Sequence, residues 1–406
     1  MRIAILGAGG AGVCTALELA ARGQAVDLYD ENPLPVSRAS RNNEGKVHLG
    51  LVYARDRSLE TARTMIRGAI HFTDCLSRWI DLPMDDRIFS TPYHYAVHKG
   101  TMTEPSELEA HYHHCKRLLE EACASTGLAY LGCDRTLAVE QLPPREVEQL
   151  VASEHFLTAF RTSERAVDPR AVADRLRAAV QASSRIRFIP NARVTDLAWS
   201  DDGRLRVSFR LQGEAFEETY DHVANALWEG RLALDAKLGL GPERDWLYRY
   251  KLGGWINVPV RPETVPSLTV VLGPFGDVVN FGQGGVYVCW YPVGLLGTSR
   301  ALKPPEWEAS LTPAAWRESI TRSYEEWCVR CPGLRAVDHA ADVVDPAGGV
   351  IFAWGATDID TEDSRLHTRH EIGVHSVRNY HSVNTGKYTM IPYLGVKTAE
   401  RILGLS

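Results

Sequence analysis

The chain has 406 residues, 45 % of them hydrophobic and 24 % charged, ordinary globular proportions that exclude bulk disorder, a collagen-like repeat and a dedicated disulfide scaffold. A formal net charge of -6 with no basic block argues against nucleic acid or an anionic membrane as partner, and no apolar stretch approaches the roughly 18 residues that would cross a bilayer. Turn residues arrive too early for a signal peptide's apolar segment, so a cytoplasmic protein with eight reduced cysteines is expected.

Residues 2–6 read as a short buried strand. Gly7, Ala8, Gly9, Gly10, Ala11 and Gly12 follow at once, ahead of an apolar-periodic helix over 13–21. Residues 25–29 form a second strand that ends at Asp30, with Glu31 beside it. This is G-x-G-x-x-G in its strand–turn–helix context with an acid about 20 residues further on, the pattern that cradles a dinucleotide pyrophosphate. Gly7 serves the tight turn, Gly9 lets backbone approach the pyrophosphate, and Gly12 lets the helix close on the strand, whose N-terminus then faces the phosphate charge. Asp30 accepts from ribose hydroxyls and repels a 2′-phosphate. The unit alone fits FAD or NAD.

Segment 37–50 departs from the strand–helix alternation of a complete NAD domain: it is polar and basic, then small, apolar and punctuated by glycine. With Gly7 to Gly12, Asp30 and the stretch from Ser40 to Gly50, the chain resembles the FAD-dependent oxidoreductases of the D-amino-acid oxidase superfamily. The Lys46-x-His48-x-Gly50 pattern is closest to the flavin-linked glycerol-phosphate dehydrogenase branch. The resemblance implies that Ser40, Arg41, Asn43, Gly45 and Lys46 run beside the flavin and its phosphates.

Further along, helical spacing is expected over 58–80 and 107–124 and from Pro169 to about 182, with Asp168 as cap. His111 with His114 or Cys115 has metal-ligand spacing but no second cluster to support it, and neither does Cys328 with Cys331, so no metal is expected. Strands follow at 186–189 and from Ala192, with a hairpin across 201–203, and 220–228 returns to the nucleotide sheet. In the superfamily adenine lies near the residue matching Val194, and the returning strand ends in Thr-Gly, where this chain has Ala226-Leu227. Residues 246–300 are rich in rings among β-branched residues and read as an antiparallel sheet that could roof a flat ring system, with Tyr291 offering a hydroxyl at a strand end. Helix 312–331 carries Trp316, Ile320, Tyr324 and Trp327 as a core stripe. After a strand at 350–355, Asp358, Asp360, Glu362 and Asp363 fit no calcium loop and read as a solvated acidic loop.

Residues 381–389 lead into a helix over about 391–403, and polar residues with a glycine before a helix start make a donor-rich anion site. The segment resembles the superfamily's carboxyl-terminal flavin-binding turn, which places Thr385, Gly386, Lys387, Tyr388 and Thr389 where donors stabilise the reduced ring.

The expected fold is α/β with an α+β insertion: a Rossmann-like FAD-binding domain (1–80, 164–230 and 345–406) interrupted by an antiparallel-sheet substrate domain (81–163 and 231–344). The expected function is an FAD-dependent oxidase removing hydride from a C–N bond of a small amine or amino acid to flavin N5. A small polar substrate is expected, with a carboxylate as one handle for Arg249 or Arg369, and oxygen or another acceptor reoxidises the flavin. His48, Tyr291 and His381 are the catalytic candidates, histidine being suited to general-base work. Oxidation of a C–OH bond in a 2-hydroxy acid or polyol, a catalytically silent flavoprotein and an NAD dehydrogenase are the alternatives. An oligomer is open.

Overall fold

The structure is a computed structural model that describes residues 1–83, 85–339 and 344–405; the parts of the expected domains at 84, 340–343 and 406 lie outside the described residues. Among the described residues the strands form three sheets. The first runs in the order Gly373–Val377, Tyr380–Asn384, His222–Asn225, Ile3–Leu6, Val26–Tyr29, Ile186–Ile189. Its inner neighbours are parallel, and only the edge strand Gly373–Val377 is antiparallel. The direction of strand succession reverses between Ile3–Leu6 and His222–Asn225, and a crevice beyond the carboxyl ends of such strands is where α/β sheets bind ligands. Helices Gly10–Ala21 and Ile391–Ile402 cover one face of this sheet, and the three-stranded hairpin sheet Ala192–Trp199, Leu205–Leu211, Glu214–Tyr220 packs on the other through Leu197, Val207 and Phe209.

Two glycines set the crevice. Gly7 has φ +96°, and a Cβ there would stand 2.7 Å from the Ala226 carbonyl oxygen; one on Gly12 would stand 1.8 Å from the Gly7 oxygen. The glycine loop, its helix and the return strand therefore meet backbone to backbone.

The largest sheet has nine strands and is antiparallel apart from Tyr93–His98, which runs parallel to Ser267–Val271. Towards one end of it Trp246–Ile256 pairs along its whole length with Val344–Trp354. Residues 345–354, expected at the head of the last nucleotide-domain segment, thus pair within the nine-stranded sheet. An apolar strand reads the same in either sheet, and only its partner decides. Helix Pro313–Arg330 packs behind this sheet through Ile320, Tyr324 and Trp327, all buried as the stripe predicts. Helix Pro169–Ala182 starts where its cap predicts, Asp168 accepting from the Arg170 and Ala171 amides.

No helix among the described residues is long and apolar enough to cross a membrane. Gly12→Ala forces helix and strand apart and is expected to cost about 1–3 kcal/mol, the ordinary range for overpacking, read as a lower midpoint in thermal or urea unfolding.

Candidate active site

A cavity of about 460 Å³ opens at the switch point and runs from the end of Val26–Tyr29 to the face of the nine-stranded sheet. At its head stand Gly7, Ala8, Gly9, Gly10 and Ala11. Asp30 and Glu31 line it beside them, and Val194 on the hairpin sheet closes that end. The Asp30 carboxylate is already anchored: Oδ2 accepts from the Ala8 amide at 2.7 Å, and Oδ1 from the Asn32 amide at 2.8 Å. Ser40 Oγ accepts from the Gly10 amide at 3.1 Å, and Asn43 lines the wall beyond it. Ala226 and Leu227, in place of Thr-Gly, also line the cavity, followed by Trp228, whose indole donates to the Val350 oxygen at 2.8 Å and ties the return strand to the nine-stranded sheet.

At the far end Lys46, His48, Thr385, Gly386, Lys387 and Tyr388 converge on Lys251 and Ile351 from the nine-stranded sheet. Segment 46–49 reaches this place largely without ladder bonding, so other groups satisfy its backbone. Thr389 Oγ1 accepts from the His48 amide at 2.9 Å and donates to the Lys46 oxygen at 3.2 Å. The buried Glu164 accepts from the Leu49 amide at 2.5 Å and from the Tyr95 hydroxyl, and Tyr130 donates to the Val47 oxygen at 3.0 Å. Thr389 thus acts as a strut between the two segments rather than as a cavity wall, and Gly12, Arg41 and Gly45 also stand behind the lining. Gly45 is packed against the Val167 oxygen, and the Arg41 amide donates to the Arg38 carbonyl oxygen.

The charges here are mostly cationic. Lys46 lies buried on the Tyr93 ring and donates to Asp277 Oδ1 at 2.9 Å and to Thr269; Lys251 stands 3.7 Å from the other carboxylate oxygen. Burial alone would raise Asp277, but these two ammonium groups hold it well below the usual carboxylate range. Lys387 makes no ion pair among the described residues within 4 Å, and burial pushes it down to about 7. His48 is held well below the ordinary imidazole range by burial and by Lys387 and Lys46, so it stays neutral, with Nδ1 buried and unpartnered.

Tyr291 lies beyond the lining in an adjoining cluster. Its hydroxyl donates to Asp358 Oδ2 at 2.8 Å, and Arg249 Nη1 donates to Asp358 Oδ1 at 2.8 Å and to the Tyr291 hydroxyl at 3.0 Å. Burial raises Tyr291 to about 12. Arg369, with one bond to the Phe352 oxygen at 2.7 Å, is lowered to about 10 by burial and by Arg249. Arg249 Nε and the Tyr53 hydroxyl are buried without partners.

Two residues stand elsewhere than the sequence suggests. His381 does not line the cavity: it lies on the same strand face as Val383 but two residues back, about 6.6 Å below the rim. Its ring stacks on His222 at 5.6 Å, and Nδ1 meets Ser376 Oγ at 2.9 Å. Asp358 is only partly exposed, unlike the exposed Asp360, Glu362 and Asp363, because the buried Arg249 and the Tyr291 hydroxyl hold it. Sequence reasoning missed Lys251, Tyr53, Asp277 and Glu164. Alternation along 246–256 could have marked Lys251 as a charge on a buried face, but nothing in sequence pairs it with Asp277. No group of three or more His, Cys, Asp or Glu that could hold a metal occurs among the described residues; His111 instead bonds the Gly50 oxygen, and Cys328 and Cys331 are free.

The fit to FAD rests on these features: a glycine cradle in which Gly7 and Gly12 have no room for a side chain, an anchored acid beside it, and an imidazole with unpartnered Nδ1 and cations at the opposite end. The family model described as "FAD dependent oxidoreductase" (DAO) matches residues 2–244. No curated protein sequence matches the chain. Among solved structures, glycine oxidase from Geobacillus kaustophilus is similar at TM-score 0.67 and 14% identity, covering 100% of this chain and 95% of its own. Iminodiacetate oxidase from Chelativorans sp. BNC1 is similar at 0.65 and 15%, covering 100% and 96%. L-alpha-glycerophosphate oxidase from Mycoplasma pneumoniae is similar at 0.64 and 16%, covering 100% and 95%.

Asp277→Asn leaves two buried ammonium groups without their carboxylate and is expected to destabilise the protein by about 3–5 kcal/mol in urea unfolding at neutral pH. Because the folded carboxyl is held below its unfolded value, this stability is present above the usual carboxylate range and is lost as pH falls towards strong acid.

Proposed function

The chain belongs to the FAD-dependent oxidoreductase family, and from that membership we propose that it is an oxidase acting on the C–N bond of a small amine that carries a carboxylate. The observation that carries this reading is the cluster of Arg249, Arg369, Tyr53 and Tyr291, whose Tyr53 ring lies 5.8 Å from that of the neutral His48, with buried donors on Arg249 and Tyr53 that lack acceptors. Such donors suit an anionic handle on the substrate.

FAD bound along the cavity supplies a two-electron acceptor for hydride. The Gly9 and Ala11 amides, which are not spent on Tyr29, Asp30 or Ser40 as their neighbours' are, and the helix start behind them would hold the pyrophosphate, Asp30 and Glu31 the ribose, and Val194 the adenine. Ser40, Asn43 and Lys46 continue that wall, and residues 385–388 present donors and one ammonium to the ring. Tyr291 and the two guanidinium groups orient the substrate carboxylate. His48 accepts a hydrogen bond or proton from the amine but is a weak base, its conjugate acid being suppressed by burial and two lysines. Removing hydride from a neutral amine asks little of a base, since the nitrogen lone pair forms the C=N bond as hydride leaves. An alcohol needs its proton taken by a stronger base, which places C–OH oxidation second. The imine would hydrolyse in water, and the oxidase reading names molecular oxygen as the acceptor of the two electrons and two protons, giving hydrogen peroxide. Glycine oxidase and iminodiacetate oxidase among the similar structures support the amine class by name, and glycerophosphate oxidase supports the alternative. The domain division of the sequence reading is retained here, with 345–354 moved to the substrate part.

The test is anaerobic mixing of the FAD-loaded protein with a panel of amino acids, simple amines and 2-hydroxy acids. Bleaching near ~450 nm, the region of oxidised flavin, is expected with an amino acid; bleaching by hydroxy acids alone would overturn the amine reading. Arg249→Met is expected to raise KM for that amino acid by about ten- to a hundredfold, as for loss of a charge-assisted hydrogen bond, with FAD content unchanged.

A further inference from the structure

Asp358 places a carboxylate inside the cluster that is otherwise built of donors. Its position is held by the chain itself: Oδ1 also accepts from the Ile359 amide at 2.7 Å, and Ser364 donates to the Thr357 oxygen at 2.7 Å across the same loop. Asp358 engages Arg249 through Nη1 alone, leaving Nε buried and unpartnered. Arg369 has no carboxylate within 4 Å among the described residues. The cluster therefore sets two buried guanidinium groups against one carboxylate. The lysines stand along the other wall, where Asp277 answers Lys46 and Lys251, and Glu44 acts on Lys387.

A buried charge is stable when paired, so the cluster has room for one further negative charge. A ligand with one carboxylate supplies it. A dicarboxylate brings a second carboxylate towards Asp358, where like-charge repulsion and desolvation oppose it.

Resting on the amine–carboxylate reading above, we propose that Asp358 is a specificity-determining residue: an internal carboxylate standing in the place of a second substrate carboxylate, so that the site takes amines bearing one carboxylate and rejects dicarboxylates. Discrimination here comes from a repulsive element built into the loop rather than from an added contact.

The experiment is equilibrium titration of oxidised, FAD-loaded protein with propionate and with succinate, neither of which can reduce the flavin, followed by perturbation of its visible spectrum. Wild type is expected to bind propionate at least about tenfold more tightly than succinate, the effect of one like-charge contact of ~1.4 kcal/mol. Asp358→Asn keeps the shape and removes the charge, and is expected to lower that ratio about tenfold. Asp358→Glu keeps the charge and is expected to retain the preference for propionate. If Asp358→Asn binds both ligands more weakly at an unchanged ratio, Asp358 merely orients Arg249 and the proposal is overturned. If neither ligand perturbs the spectrum of any FAD-loaded form, the amine–carboxylate reading falls and takes this inference with it. Should Asp358→Asn not retain FAD, the wild-type ratio decides: succinate binding as tightly as propionate overturns the proposal.

Discussion

Lys46, Lys251 and Lys387 at one end of the cavity, with Arg249 and Arg369 in the adjoining cluster, stand against the carboxylates of Asp277, Asp358, Glu44 and Glu164. Withdrawing charge from water is costly, and a surplus of one sign is tolerated only where something else supplies the other. Burial first, and neighbouring cations after it, depress Lys387 and Arg369. An anion beside either group raises it back, so binding an anion and holding the proton favour each other. On the function proposed above, a flavin that becomes anionic on reduction and a substrate carboxylate would answer that surplus.

Keeping those charges in place requires three distant parts of the chain to meet. Trp246–Ile256 contributes Arg249 and Lys251 on one face of its alternation, with Asp277 brought alongside by a neighbouring hairpin. Segment 46–49 enters from the nucleotide side, pinned by Thr389, Glu164 and Tyr130 rather than by a ladder. The turn before helix Ile391–Ile402 closes the third side and is joined to the second through Thr389. Trp228 then fastens the return strand to Val344–Trp354, so the nucleotide sheet and the larger sheet share one wall.

What was legible in the sequence follows from how local each constraint is. Gly7, Gly9, Gly12 and Asp30 announce themselves because a tight turn, a close approach and an anchored acid depend on neighbours in sequence. Asp168 before Pro169 is legible for the same reason. The partner of a strand is not local: Val344–Trp354 carries nothing that says which sheet it joins. Position along a strand misleads as well, since His381 lies on the cavity side of its sheet yet stops short of the rim. Asp358 sat in a run of acids that composition reads as solvated, and only the buried Arg249, more than a hundred residues earlier, distinguishes it from Asp360.

On the proposed function the flavin ring would lie against the buried cations at the far end of the cavity, Lys387 among them, and the pH dependence of the bound flavin's midpoint potential reports them directly. A ring held anionic on reduction takes up one proton with two electrons, so the potential should fall by ~30 mV per pH unit between about pH 5 and about pH 6.5; a slope of ~59 mV per unit, two protons with two electrons, would contradict the account.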